Sequence, residues 1–133
     1  MRGTELRWAE INSATRIKGI NGPGALTIVV RRAGATEEVM FGLRNLIAVC
    51  GVSECVASVK FDDGQIRTVP LSRSSDGSGS ILFVTKPAPF IQSLSKAKQL
   101  IVELDVFRVG RQQFVFDDVS GLSLPPAAPT KKK

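Results

Sequence analysis

Cys50 and Cys55, in the run Cys-Gly-Val-Ser-Glu-Cys, are the side chains of this sequence with the most distinctive chemistry. A structural or catalytic metal would need at least two further ligands, and the chain has no other cysteine and no histidine. A redox Cys-x-x-Cys motif has two intervening residues, not four. What remains is a disulfide or two free thiols. We take the disulfide forward: closing so short a loop stabilises a fold by about 2 kcal/mol on the chain-entropy model, enough to pin a turn. It would belong to an oxidising compartment.

The missing histidine excludes Ser-His-Asp and Cys-His nucleophilic catalysis, His-ligated zinc and imidazole acid–base chemistry. Carboxylate chemistry is limited by spacing. Glu37-Glu38, Asp62-Asp63 and Asp117-Asp118 are adjacent pairs, and neighbours on a strand point to opposite faces, so none is a ready dyad. The polar stretch Ser72 to Ser80 has the composition of a phosphate loop but lacks Gly-x-x-x-x-Gly-Lys-[Ser/Thr] and leads into a strand. The expectation is no enzyme, no cofactor and no metal.

The net charge is +6, of which Lys131, Lys132 and Lys133 carry half. Dispersed cations on strands more often form a solvated face than a binding patch. Arg31, Arg32, Lys60 and Arg67 are nevertheless the candidate basic surface for nucleic acid or an acidic partner. If Asp63-Gly64 forms a two-residue type I′ turn, Lys60 stands opposite Arg67 and Phe61 opposite Ile66. A three-residue turn with a bulge shifts the register by one.

These residues need a scaffold, and 133 residues with 43% apolar content fit one domain. The aliphatic, β-branched composition favours strands. Strands are expected from Leu6 to Ile11, with Trp8 covering an open end of the core, and from Leu26 to Arg32, Glu37 to Leu43, Ala57 to Phe61, Ile66 to Val69 and Ile81 to Val84. Leu100, Val102, Leu104 and Val106 alternate over a further strand, and Phe114 and Phe116 return on another. Ile47 to Cys50 is a short apolar piece. Between them Phe90, Leu94 and Ala97 recur at i, i+4 and i+7, with Ile91 beside them, predicting one helix from Pro89 to Lys98 with proline in its first turn. The fold class is therefore mainly β (α+β): an antiparallel sheet or sandwich-like domain over residues 1–122 with one packed helix. A disordered Pro/Ala/Lys tail follows over 123–133. No apolar run approaches the ~20 residues of a membrane-spanning helix, so a soluble domain is expected.

The order Cys50, Cys55, Val59-Lys-Phe-Asp-Asp-Gly64, Phe83, Phe90, Leu94-Ser-Lys-Ala-Lys98, Gly110-Arg-Gln-Gln-Phe114-Val-Phe-Asp117 and Ser120-Gly-Leu122 resembles small bacterial and phage-borne envelope proteins. These include domains similar to invasion-associated locus B proteins and to accessory proteins of type VI secretion. The resemblance implies an exported, β-rich, non-enzymatic domain whose partner is another protein, in the periplasm or secreted. The start Met-Arg-Gly-Thr has no apolar signal region, which leaves the alternative of a cytoplasmic phage or mobile-element factor binding nucleic acid or a host protein through the basic surface.

Overall fold

In a computed structural model, which describes residues 6–50, 55–73 and 79–122, the chain forms nine strands, one α-helix and one 3₁₀ turn. In order these are β1 (Leu6–Asn12), β2 (Ile17–Lys18), β3 (Pro23–Ala33), β4 (Thr36–Arg44), β5 (Cys55–Phe61), β6 (Arg67–Arg73), β7 (Ile81–Val84), α1 (Pro87–Leu94), β8 (Leu100–Val106), β9 (Gly110–Phe116) and the 3₁₀ turn Ser120–Leu122. The fold is mainly β with one packed helix. Of the expected polar connector, Ser72 and Arg73 belong to β6; residues 74–78 and the tail from 123 lie outside the described residues.

All strand pairs are antiparallel, in the order β1-β3-β4-β7-β6-β5-β8-β9, with β2 attached to β3. The sheet curls until its two edges meet. The Ala14 N–H donates to the Val115 carbonyl at 2.7 Å, and the Val115 N–H donates to Thr15 Oγ1 at 2.9 Å. Among the described residues these bonds tie the chain just after β1 to β9, with no ladder between the two edge strands.

Alternation along each strand fills the interior. Ile28, Val30, Phe41, Leu100, Val102, Phe114 and Phe116 are fully buried, as are Leu82 and Leu94. Val39 and Phe41 point inward from β4, and Leu100, Val102, Leu104 and Val106 all do so from β8. Pro70 sits inside β6, which the sequence reading ended at Val69. The strand tolerates it because the β6–β7 pairing starts only at Leu71, so no ladder donor is lost there.

One end of the curled sheet carries α1, the β3–β4 turn and the β5–β6 turn. Phe90, Ile91 and Leu94 of α1 are buried, and Phe90 meets Phe41 and Phe61 edge-on with centroids 5.8 and 5.6 Å apart. Eight residues are too few for a helix to persist alone in water, whereas each buried side chain of this size contributes about 1.5–3 kcal/mol. The helix exists by packing. It begins at Pro87 rather than Pro89 and ends at Leu94, with the turn continuing to Ala97, whose N–H donates to the Leu94 carbonyl. Ala97 therefore completes the apolar stripe from just beyond the helix. Trp8 does not cover an end of the core: it is 59% exposed on the outer side of β1, because Ala9 and Ile11 take the inward phase of that strand.

Candidate functional site

The opposite end is made of loops, and apolar residues stand exposed there, four of them around one hollow. Ile20 tips the β2–β3 turn, Ile47 belongs to the segment after β4, and Phe107 and Val109 flank the tip of the β8–β9 hairpin. Ile20 is 63% and Phe107 51% exposed. Together with Gly19 and the buried Leu46 they line a cup of about 420 Å³ whose rim carries Lys18 and Arg108. The Arg108 guanidinium lies 5.4 Å from the Phe107 ring centroid.

Backbone hydrogen bonds hold these loops together. The Ile20 N–H donates to the Asn45 carbonyl, the Phe107 N–H to the Ile47 carbonyl and the Val49 N–H to the Asp105 carbonyl, all at 2.8 Å. The Ala48 N–H donates to the Gly79 carbonyl at 2.9 Å, and Ala48 also bridges Val106. Two glycines make the close approach feasible. A Cβ on Gly19 would meet the Asn45 carbonyl oxygen at 2.5 Å, and one on Gly79 would meet Ile47 Cγ2 at 2.7 Å. The Cys50–Cys55 disulfide, with Cα atoms 4.5 Å apart, anchors the same segment to the start of β5. The backbone that carries these apolar groups is thus held by bonds within the chain.

The four basic residues singled out in the sequence do not converge. Arg31 pairs with Glu38, and Arg32 pairs with Glu37 at 3.0 Å, each directly across the β3–β4 ladder. Val59, not Lys60, stands opposite Arg67, which is the shifted register of a hairpin with a longer turn; Asp62 takes a positive φ there and the Gly64 N–H returns to the Phe61 carbonyl. Cross-strand partners share a face, so Lys60 lies on the outer side while Arg67 folds over the helix end. Its guanidinium donates to Ser93 Oγ at 3.2 Å and lies 5.9 Å from the Phe61 ring centroid.

The acidic pairs serve the scaffold. Asp62 accepts the Gln99 N–H at 2.8 Å and the Lys98 N–H at 3.1 Å, tying the β5–β6 turn to the link before β8. Asp118 accepts the Ser120 N–H at 3.0 Å at the start of the 3₁₀ turn, and the hydrogen bonds from Ser120 hold its carboxyl below the usual aspartate range. On the outer face, Glu103 is held below the usual glutamate range by the hydrogen bond that Arg111 donates at 2.6 Å, assisted by Gln113. Among the described residues, no three of His, Cys, Asp and Glu gather so as to hold a metal ion.

Reading the sequence missed the cup because its members come from three separate segments. The available signal was apolar residues placed inside turns, Ile20 in Gly-Ile-Asn-Gly and Phe107-Arg-Val109 before Gly110, where polar side chains are usual. No family model, curated protein or solved structure matches the chain, so each role here rests on geometry.

Proposed function

We propose that this domain is a non-enzymatic binding module that engages another protein through the apolar cup at its loop end. The observation that carries the reading is the clustering of Ile20, Ile47, Phe107 and Val109 around one hollow, exposed and yet held by backbone hydrogen bonds. Clustered exposed apolar side chains beside a polar rim are characteristic of interaction sites. A preformed site binds without the ordering cost that a flexible loop would incur. An envelope or secretion-associated setting is supported by the disulfide, since such bonds persist in oxidising compartments, and by the resemblance to exported proteins. No helix among the described residues is long and apolar enough to cross a membrane.

The cytoplasmic nucleic-acid reading loses support from the dispersal of Arg31, Arg32, Lys60 and Arg67. Phosphate binding needs cations on one surface, and two of these already face glutamates. The test compares proteins retained from host lysate by the wild type and by Phe107→Asp, with DNA and RNA retention followed in parallel across salt. A partner retained at moderate salt and lost with Phe107→Asp is the expected result. Tight nucleic-acid retention that falls steeply with salt and ignores Phe107→Asp would replace this reading.

A further inference from the structure

Among the described residues, carboxylates are distributed unevenly between the two ends. Glu37, Asp62, Asp63, Asp117 and Asp118 all belong to turns or strand termini at the helix end. At the loop end the rim residues Lys18 and Arg108 meet no carboxylate among the described residues. Arg16 and Arg44 line an adjoining groove of about 330 Å³, joined to the cup through Asn45, whose carbonyl holds the Ile20 N–H. The described acid nearest this end, Asp105, already faces Arg111 at 3.4 Å. Among the described residues, the hollow therefore has cations on its rim and no carboxylate paired with them.

We infer that the cup takes a short acidic segment of a partner protein, one that inserts an aliphatic or aromatic side chain between Ile20, Ile47 and Phe107 and sets flanking carboxylates against Lys18 and Arg108. This rests on the protein-docking reading above and specifies the chemistry of the partner. The hollow lies at the small end of the roughly 300–1,000 Å³ range of ligand pockets, a fit for one or two side chains. Exposed cations around it add attraction at a distance and reject basic competitors, so they contribute selectivity and association rate more than raw affinity. A flat lipid surface would use projecting apolar groups, whereas Leu46 and Gly19 form a recessed floor here. Nucleic acid offers no aliphatic anchor for that floor, and its bases would need aromatic faces interleaved with cations.

The experiment is an array of random hexapeptides probed with the labelled full chain, beside vesicles of phosphatidylcholine with and without phosphatidylserine. Bound peptides should be enriched in Asp or Glu flanking Leu, Ile or Phe. The double variant Lys18→Glu/Arg108→Glu, both positions being exposed and outside the core, should slow association with selected acidic peptides about tenfold and shift the enrichment toward Lys and Arg. Phe107→Asp should abolish enrichment altogether. Apolar enrichment without charge bias, lost with Phe107→Asp, would overturn the acidic-segment inference and leave the docking reading standing. Absence of any enrichment would overturn both, and binding to phosphatidylserine vesicles that depends on Phe107 would assign the cup to a lipid surface instead.

Discussion

At the helix end, Phe90, Ile91 and Leu94 are drawn inward and the three-phenylalanine contact with Phe41 and Phe61 closes the core. At the loop end, side chains of the same kind, Ile20, Ile47, Phe107 and Val109, stay in contact with solvent although the backbone around them is fully organised. Both ends belong to the same curled sheet and both are rich in apolar residues, so hydrophobicity alone does not distinguish them. The difference is that one end has an element to cover it. An apolar group left exposed on a held frame gains little for folding, and under the proposed function its contribution lies in binding.

That contrast breaks most sharply on a pair of truncations. Leu94→Ala deletes a fully buried side chain and should cost ~2–5 kcal/mol in urea unfolding. Phe107→Ala, at the exposed end, should stay within about 0.5 kcal/mol of the wild type while weakening the peptide binding described above. Comparable losses of stability from the two would mean that the loop end is core, and the contrast would fail.

Gly19→Ala sharpens the same point at the backbone. The added Cβ would clash with the Asn45 and Gly22 carbonyl oxygens at 2.5 and 2.7 Å, both parts of the backbone. The expected cost is about 1–3 kcal/mol from overpacking, accompanied by lost binding because the Ile20 turn must move. Unchanged stability with intact binding would show that the turn is not held as described.

How much of this was legible in the sequence follows from how each end is built. The helix end could be read because its signals are local: Phe90, Leu94 and Ala97 mark one helical stripe, and Leu100 to Val106 alternates without a break. Even there the boundaries slipped, since Lys86 offers no side-chain cap and Pro87, not Pro89, opens the first turn. Trp8 misled because its size suggested burial, whereas strand phase places it outward. The loop end was illegible because Ile20, Ile47 and Phe107 are far apart in sequence, and only long-range bonds such as Ile20 to Asn45 and Phe107 to Ile47 assemble them. Lys60 and Arg67 misled for a related reason: a one-residue change of register moves a side chain to the other face.

The disulfide tests whether the loop end depends on its anchor. Replacing both cysteines, Cys50→Ser with Cys55→Ser, should lower stability by about 2 kcal/mol, the entropy released to the unfolded chain by opening so short a loop. Binding at the cup should weaken as well, because Ile47 and the disulfide share one segment. Mass spectrometry of unreduced protein should find no alkylatable thiol in the wild type. Unchanged binding in the double variant would mean that the hydrogen bonds to Asp105, Ile47 and Gly79 suffice to hold the cup without the covalent link.

The smallest effect is expected from the wall between the two ends, where Glu103 faces Arg111 on the outer surface of β8 and β9. The hydrogen bond from Arg111 depresses the Glu103 carboxyl below its ordinary value, so around pH 4 the unfolded chain binds a proton that the folded chain resists. The sign follows by linkage: stabilisation is fully present above the unfolded pKa and is lost as pH falls through the folded one. Solvent screening of so exposed a pair keeps the contribution small. Glu103→Gln should therefore unfold at slightly lower urea than the wild type near neutral pH, with the difference vanishing in acid. Neither Glu103 nor Arg111 lines the cup or belongs to the helix, so peptide binding should be unchanged across the series. A Glu103→Gln variant that altered binding as strongly as Phe107→Asp would join the wall to the loop end and remove the distinction between a scaffold that only supports and an end that binds.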